Sequence, residues 1–409
     1  MAASKSIERL APRLVVPAEP TPDGPLRLSW LDRYPTQMAL IESLHVFKPA
    51  PDRVISADEV DVDVAASPAK TIERALARAL VQYHPLAGRL VLSDSGAQLA
   101  VDCNRAGVWF TEASAACTLE DVDYLEAPLM VPKDALLPPT SSDEDERALV
   151  LLVQVTSFAC GGFVVGFRFS HAVADGPGAA QFMNAVGDLA RGGNDGVSVA
   201  PQWGRDATRS RGPAARSWGP CPRATAGPSG SRLGSHAPAP PASTRTPPST
   251  SASPSTRARS STLPPRGGAG FYGNCYYIMR VTAPAGKVAG SSVTEVVRLI
   301  KDGKRRMPGD FGRWAAGEMG AAGVDPYQIT SDYRTLLVSD WTRLGFAEVD
   351  YGGGPPAHVV PLTNLDYIAT CILVKPWART SPGRGSSRSV SRPRPRRPSH
   401  QGMLLDMSL

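Results

Sequence analysis

The chain has 409 residues, 42% of them hydrophobic, with a formal net charge of +6 and a sequence pI near 9.0, enough for one large domain or two to three ordinary ones with a sizeable core. The positive charge is confined to two blocks: residues 204–268 hold ten Arg and one Asp, residues 381–409 six Arg and one Asp, and the remainder is acidic at about −8. A basic balance that lives in low-complexity blocks excludes a nucleic-acid or membrane footprint for the folded part.

In chain order, Leu26–Arg33 and Ala39–Lys48 read as strands or extended segments around the loop Tyr34-Pro35-Thr36. Ser67-Pro68 then opens a helix, with Ser as N-cap and Pro at the first helical position. Ile72, Leu76, Ala79, Leu80 and Tyr83 recur at helical spacing and predict one buried face. His84-Pro85-Leu86-Ala87-Gly88 ends the helix, and Arg89–Asp102 reads as a hairpin around Ser93–Gly96. Residues 118–147 are acidic and irregular, the pattern of a surface connection. Leu149–Phe158 and Phe163–Ser170 are β-prone runs joined by Ala159-Cys160-Gly161-Gly162, which predicts antiparallel neighbours. A helix follows from about Pro177 to Ala190, with Ala179, Met183, Val186 and Ala190 at core-like spacing.

From Gly204 to Gly268 the only large apolar residues are Trp218, Leu233 and Leu263, and there is no Lys or Glu. Such a segment cannot offset an ordering cost of about 1–2 kcal/mol per residue and is expected to be disordered. Structured texture returns with the strand signal Phe271–Val281. An amphipathic helix over Ser291–Lys304 places Val293, Val296, Val297 and Ile300 on one face. Leu336–Phe346, His358–Leu362 and Tyr367–Lys375 read as strands, and after Trp377 the chain is again rich in Arg, Pro and Ser.

Of six histidines, His171 stands out because it ends an apolar strand, and Gly176 and Gly178 leave room for a ligand to approach the backbone. Its imidazole suits a general base near neutral pH. Asp175 has three readings: N-cap of the following helix, orienting partner of His171, or half of a His-x-x-x-Asp metal site, although no second ligand cluster accompanies it. No G-x-S-x-G elbow occurs, which argues against a serine hydrolase. The six cysteines form no CxxC pair and fit no zinc spacing. The start lacks a secretory h-region, and no apolar run reaches the roughly 18 residues of a membrane span, so a cytoplasmic setting is expected. What remains is a histidine base without a protein nucleophile, suited to direct transfer to a substrate hydroxyl or amine.

His171-Ala-Val-Ala-Asp175-Gly176 resembles the HxxxDG motif of the plant BAHD acyl-CoA-dependent acyltransferases. Tyr83–Leu90 (YHPLAGRL), Val153–Ser170, Gly270–Tyr277 (GFYGNCYY) and Ser339–Pro356 extend the similarity, the last containing Asp350-Tyr-Gly-Gly-Gly354 where that family has DFGWG. The resemblance covers residues 6–203 and 269–377. It implies an α/β (α+β), two-domain, chloramphenicol-acetyltransferase-like fold with mixed sheets and an interface channel. Acyl-CoA is then a co-substrate, with no bound cofactor or metal, and the acyl group is hydroxycinnamoyl, benzoyl or acetyl. The acceptor is a small-molecule alcohol or amine, and the protein a monomer with no nucleic-acid or membrane partner. His171 would be the general base, with no acyl-enzyme formed. Asp175, Gly176, Asp350, Gly352 and Gly354 would be structural residues at the site, Asp175 in an ion pair facing away from substrate. Trp341 would line the channel, the alternative being a buried strand aromatic, and Thr36 and Met38 lie in a loop that shapes the acceptor pocket.

The chain departs from that pattern in three places. Gly353 replaces the tryptophan of the second signature, which leaves three consecutive glycines and predicts a looser loop. Residues 204–268 stand where an inter-domain crossover and part of the second domain belong, including the arginine that would pair with Asp350. An Arg/Pro tail, residues 378–409, replaces the last strand and helix. The predicted organisation is an N-terminal domain over 1–203, a disordered segment over 204–268, an incomplete second domain over 269–377 and a disordered tail. Arg, Pro, Ser, Ala and Gly without Lys is the composition of GC-rich coding sequence read out of frame. The alternative function is therefore an impaired or inactive relative, from a frameshifted or mis-spliced coding sequence, acting at most as a binding protein.

Overall fold

Strands β1 (Ile7–Arg9), β2 (Arg13–Val15), β4 (Leu40–Phe47), β7 (Val108–Ala115), β8 (Leu151–Phe158), β9 (Phe163–Ser170) and β13 (His358–Leu362) build the largest sheet of the computed structural model, in the order β1-β7-β8-β9-β4-β13 with β2 also on β7. The model describes residues 5–33, 37, 39–49, 67–92, 99–140, 144–192, 196–203, 248–255, 272–315, 335–362 and 369–376. The expected antiparallel pairing of β8 with β9 is present, from Leu151 opposite Phe169 to Ser157 opposite Phe163. β13 comes from the C-terminal half yet pairs antiparallel with β4, His358 opposite Val46, so the two halves share a sheet.

A second sheet orders β11 (Tyr277–Pro284), β10 (Pro248–Ser255), β12 (Thr335–Asp340) and β14 (Ala369–Leu373), with β10 antiparallel to β11 and the β10–β12 and β12–β14 pairs parallel. A small third sheet joins β3 (Pro25–Arg27), β6 (Leu99–Asp102) and β5 (Arg89–Leu92), the last two forming the predicted hairpin. β10 falls inside the segment expected to be disordered, so that expectation is corrected at 248–255. Strand pairing satisfies backbone groups and does not require apolar side chains. Pro248 is the first residue of β10, and Pro254 lies outside the 250–252 stretch paired with β12, which is how a strand rich in Pro fits between two neighbours. The rest of 204–268, the turn at 93–96 and the tail lie outside the described residues.

Helices α1 (Pro68–Gln82) and α3 (Gly176–Ala190) cover one face of the large sheet. Ser67 caps α1 by accepting from the Lys70 N–H at 3.3 Å, and Ile72, Leu76, Ala79, Leu80 and Tyr83 are all buried as their spacing predicts. Ile72, Leu76 and Leu80 each contribute about 1.5–3 kcal/mol by this burial. The opposite face is covered by the acidic connection, which contains α2 (Lys133–Leu136) and buries Leu119, Val122, Leu125, Val131, Leu136 and Leu137 against Leu44, Val46 and Val164. This stretch is thus a layer of the core and not only a surface link.

Two other expectations are corrected. Trp30–Arg33 forms a 3-10 turn in place of extended chain. The helix predicted at 291–304 is present as α5 (Val293–Ala315), after a short α4 (Ala285–Gly290), but its Val293, Val297 and Ile300 are exposed. Its buried side is further on, where Met307, Phe311 and Trp314 pack on Leu31, Tyr277, Ile278 and Leu337. Periodicity shows which residues share a face, not which face another element covers.

The acidic layer is fastened by Glu42, which is 2% exposed on β4. Its carboxylate meets Arg168 of β9 at 3.0 Å and Lys133 of α2 at 3.1 Å, and Arg168 also reaches Glu146 at 2.9 Å. Removing one member of a buried pair strands the others. Glu42→Ala is expected to destabilise the fold by about 3 kcal/mol in denaturant titration; a loss within about 0.5 kcal/mol, the usual effect of a surface change, would contradict this role.

Candidate active site

His171 is the first residue past β9, and its N–H donates to the Ala39 carbonyl at 3.2 Å beside β4. The side chain is half-buried, and its Nδ1 is buried with no hydrogen-bond partner. The carbonyl of the same residue accepts from Asn274 Nδ2 at 2.7 Å. Asn274 is held in turn by Asp32, whose Oδ1 accepts from the Asn274 N–H and from Nδ2, both at 2.9 Å, while Oδ2 accepts from the Ser29 N–H at 2.8 Å. Asp32 is 0% exposed and Asn274 1%.

Asp175 lies four residues later, at the N-cap of α3. Its Oδ1 accepts from the Gly178 N–H at 3.1 Å, capping α3, and its Oδ2 accepts from the Cys275 N–H at 3.0 Å. Of the three readings of Asp175, the structure displays the cap, and adds a cross-link to the second half. Two buried carboxylates thus grip residues 274–275 and hold them across the turn that carries His171. Burial holds the His171 imidazole below its ordinary value of 6.5; its own carbonyl, Asp175, the Asn274 side chain and Asp32 act in the opposite direction without reversing it. The group is therefore a neutral imidazole near pH 7, with a nitrogen able to accept a proton. His45, by contrast, is buried within β4 against Ser43 Oγ at 3.0 Å, and burial pushes it down to about 3.

The second signature docks on α3. A Cβ at Gly187 would sit 2.5 Å from the Asp350 carbonyl oxygen, so only glycine admits the loop here. Asn184 Nδ2 donates to the Gly345 carbonyl at 3.0 Å, and the Arg191 guanidinium donates to the Asp350 carbonyl. At the other end of the helix, Gly176 lies under Leu344, with only 2.6 Å for a Cβ. Gly187 is eleven residues from Gly176, about 16 Å along the helix, which sets Asp350 far from the His171 end. Asp350 Oδ1 accepts from the N–H groups of Gly352 at 2.8 Å and Gly354 at 2.9 Å, and those glycines have φ of +108° and +98°. Gly353 is exposed, so the loop is held from within by Asp350 despite the missing tryptophan.

Trp341 is half-buried. Its N–H donates to the Leu373 carbonyl at 2.7 Å, its Nε1 to Ser339 Oγ at 3.1 Å, and its ring packs on Phe346 at 5.2 Å between centroids. It also lines a cavity of about 190 Å³ with Phe346, Pro356, His358, Val359 and Lys375, and it lies one residue past the end of β12. His171 does not line that cavity, and the structure does not bring Trp341 and His171 together there. Thr36 and Met38 lie outside the described residues, but Gln37 between them is buried and donates from Nε2 to the Tyr276 hydroxyl at 3.1 Å. The Tyr276 ring lies 5.5 Å from that of His171. Asp32, Gln37, Asn274 and Tyr276 were not among the residues singled out from sequence. The polar Gly273-Asn274 step inside an aromatic run was a signal for Asn274; Asp32 and Gln37 had none.

The sequence matches the description "Transferase family" over residues 5–228 and 255–383. It is 58% identical over 418 residues to "Acyl transferase 7" of Oryza sativa subsp. japonica, covering 92% of this chain and 93% of that protein. It is 33% identical over 432 residues to the myricetin 3-O-glucosyl 1,2-rhamnoside 6'-O-caffeoyltransferase AT1 of Crocosmia x crocosmiiflora, covering 90% and 91%. Among solved structures, vinorine synthase superposes with a TM-score of 0.60 at 19% identity, over 90% of this chain and 91% of that one, a likeness of fold. It is consistent with the mixed α/β sheets described above.

A direct check on the histidine is an NMR titration of the imidazole. His171 is expected to titrate below 6.5, and lower still in Asn274→Ala, which removes a group that favours the charged form. A midpoint at or above 6.5 in the parent protein would contradict the assigned environment.

Proposed function

The chain belongs to the Transferase family, the BAHD acyl-CoA-dependent acyltransferases, and on that premise we propose that it moves a hydroxycinnamoyl, benzoyl or acetyl group from acyl-CoA to the hydroxyl of a plant specialised metabolite, with His171 as the general base. The observation that carries this reading is a half-buried imidazole clamped through its own backbone where the two halves of the chain meet, with burial acting to hold it below its ordinary value. The named caffeoyltransferase relative supports a hydroxycinnamoyl-CoA as the first donor to test.

The imidazole takes the proton of the acceptor hydroxyl as that oxygen attacks the thioester carbonyl. The C–O bond forms, and negative charge gathers on the former carbonyl oxygen. The tetrahedral species then collapses, the C–S bond breaks, and the imidazolium returns the proton to the leaving thiolate. No enzyme side chain is acylated. A base fixed to about a hydrogen-bond length converts much of the entropic cost of meeting into binding, and a general base contributes about 10²–10⁴-fold. Asp175 and Asp350 belong to the support of this site: one caps α3, the other closes the loop on its far end.

Release of free CoA thiol on mixing the full chain with p-coumaroyl-, benzoyl- or acetyl-CoA and alcohol acceptors tests the reading. His171→Ala is expected to lower the rate by about 10²–10⁴-fold. The acid limb of kcat/KM should lie below pH 6.5, because the lowered imidazole value keeps the active neutral form populated there. Thiol release unaffected by His171→Ala would contradict the role, and no release with any donor would favour the binding-only alternative.

A further inference from the structure

Gln37 is 0% exposed, yet its Oε1 has no hydrogen-bond partner, while its Nε2 donates to Tyr276 at 3.1 Å. Exchanging the two ends of the amide changes only which one is left over: one end meets the Tyr276 hydroxyl, the other meets nothing. An unsatisfied buried amide is costly and in a native protein calls for an explanation. This one lies beside the reacting centre, since the Tyr276 ring sits 5.5 Å from the His171 ring. The neighbouring groups repeat the pattern, for Asn274 Oδ1 and His171 Nδ1 are also buried without partners. Apolar neighbours complete the surroundings: Phe169 packs at 6.3 Å from the His171 ring on its own strand.

We propose that Gln37 and Tyr276 form an acceptor-recognition pair, built for a substrate that carries a second hydroxyl on the carbon next to the one that is acylated, as in a vicinal diol or a sugar. The inference rests on the acyl-transfer reading of His171 and names the acceptor class for that site. A hydroxyl both donates and accepts, so it satisfies the leftover end of the Gln37 amide in either orientation. With one oxygen delivering its proton to His171 and its neighbour bound at Gln37 and Tyr276, the reacting oxygen is positioned by two anchors. A simple alcohol fills the first position and leaves the amide unpaired. Sites built to hydrogen-bond a substrate hydroxyl discriminate strongly against the analogue that lacks it. Gln37 and Tyr276 are specificity-determining residues in this scheme and take no part in the proton transfer.

The test compares cis-1,2-cyclohexanediol with cyclohexanol on the full chain, by saturation-transfer NMR for binding and by thiol release with p-coumaroyl-CoA for turnover. The parent protein should bind the diol about tenfold more tightly than the alcohol. In Gln37→Leu and in Tyr276→Phe, which keep side-chain volume, that ratio should fall to about one, with the loss in turnover appearing in KM for the diol. The ratio is read within each variant and does not depend on how much of it folds. Equal binding of the two compounds by the parent, or a diol preference that survives both substitutions, overturns the proposal whether or not thiol is released. A diol preference that both substitutions abolish supports the pair; if the parent then releases no thiol, the acyl-transfer reading alone fails.

Discussion

The structure depends on two buried carboxylates that hold a distant segment in place. Asp32 and Asp175 lie in the first half of the chain, and Asn274 and Cys275 in the second. A carboxylate loses strong hydration on burial, and charge-assisted hydrogen bonds from fixed N–H groups are what offset that loss. Here the Ser29, Asn274, Gly178 and Cys275 backbone N–H groups and the Asn274 amide supply them. Asp175 therefore does two jobs with one side chain, starting α3 and docking the second half. The carbonyl of His171 is tied into the same set of bonds, so the position of this residue is a consequence of how the halves join.

Helix α3 carries that constraint outward. Its first turn is capped at the His171 end, and its far end offers Gly187 and Arg191 to the backbone of Asp350. The two signature stretches are therefore set at opposite ends of one rigid element about 16 Å long. This accounts for why both can matter to one site while Asp350 never approaches the histidine. β13, which follows the second signature, adds a strand to the sheet whose β9 leads into His171. The histidine sits where the sheet meets the capped end of the helix, and the loop closes on the other end.

Much of the fold was legible because it is local. Ser67-Pro68 and Asp175-Gly176-Pro177 start helices by capping chemistry, and the β8–β9 pair follows from two apolar runs and a Gly-Gly turn. What escaped was contact across long separation. Asp32 and Asn274 are 242 residues apart, and no period or spacing links them. α5 was placed correctly but its covered side was not, since Val293, Val297 and Ile300 face solvent while Met307, Phe311 and Trp314 meet β11 and β12. β10 gave no apolar signal because its pairing is a backbone matter. His171 and Asp175 stand out in the sequence through the motif, whereas the contact of Gln37 with Tyr276 joins residues 239 apart and leaves no local pattern.

The central claim is that Asp32 and Asn274 act as one device that holds His171. A double-mutant cycle on kcat/KM for thiol release tests it most directly, using Asp32→Asn, Asn274→Ala and the pair together. If the two residues work through the same hydrogen bonds, the double variant loses about as much as the more damaging single variant. Losses that add independently would show that the two residues support the site separately, and would contradict the account.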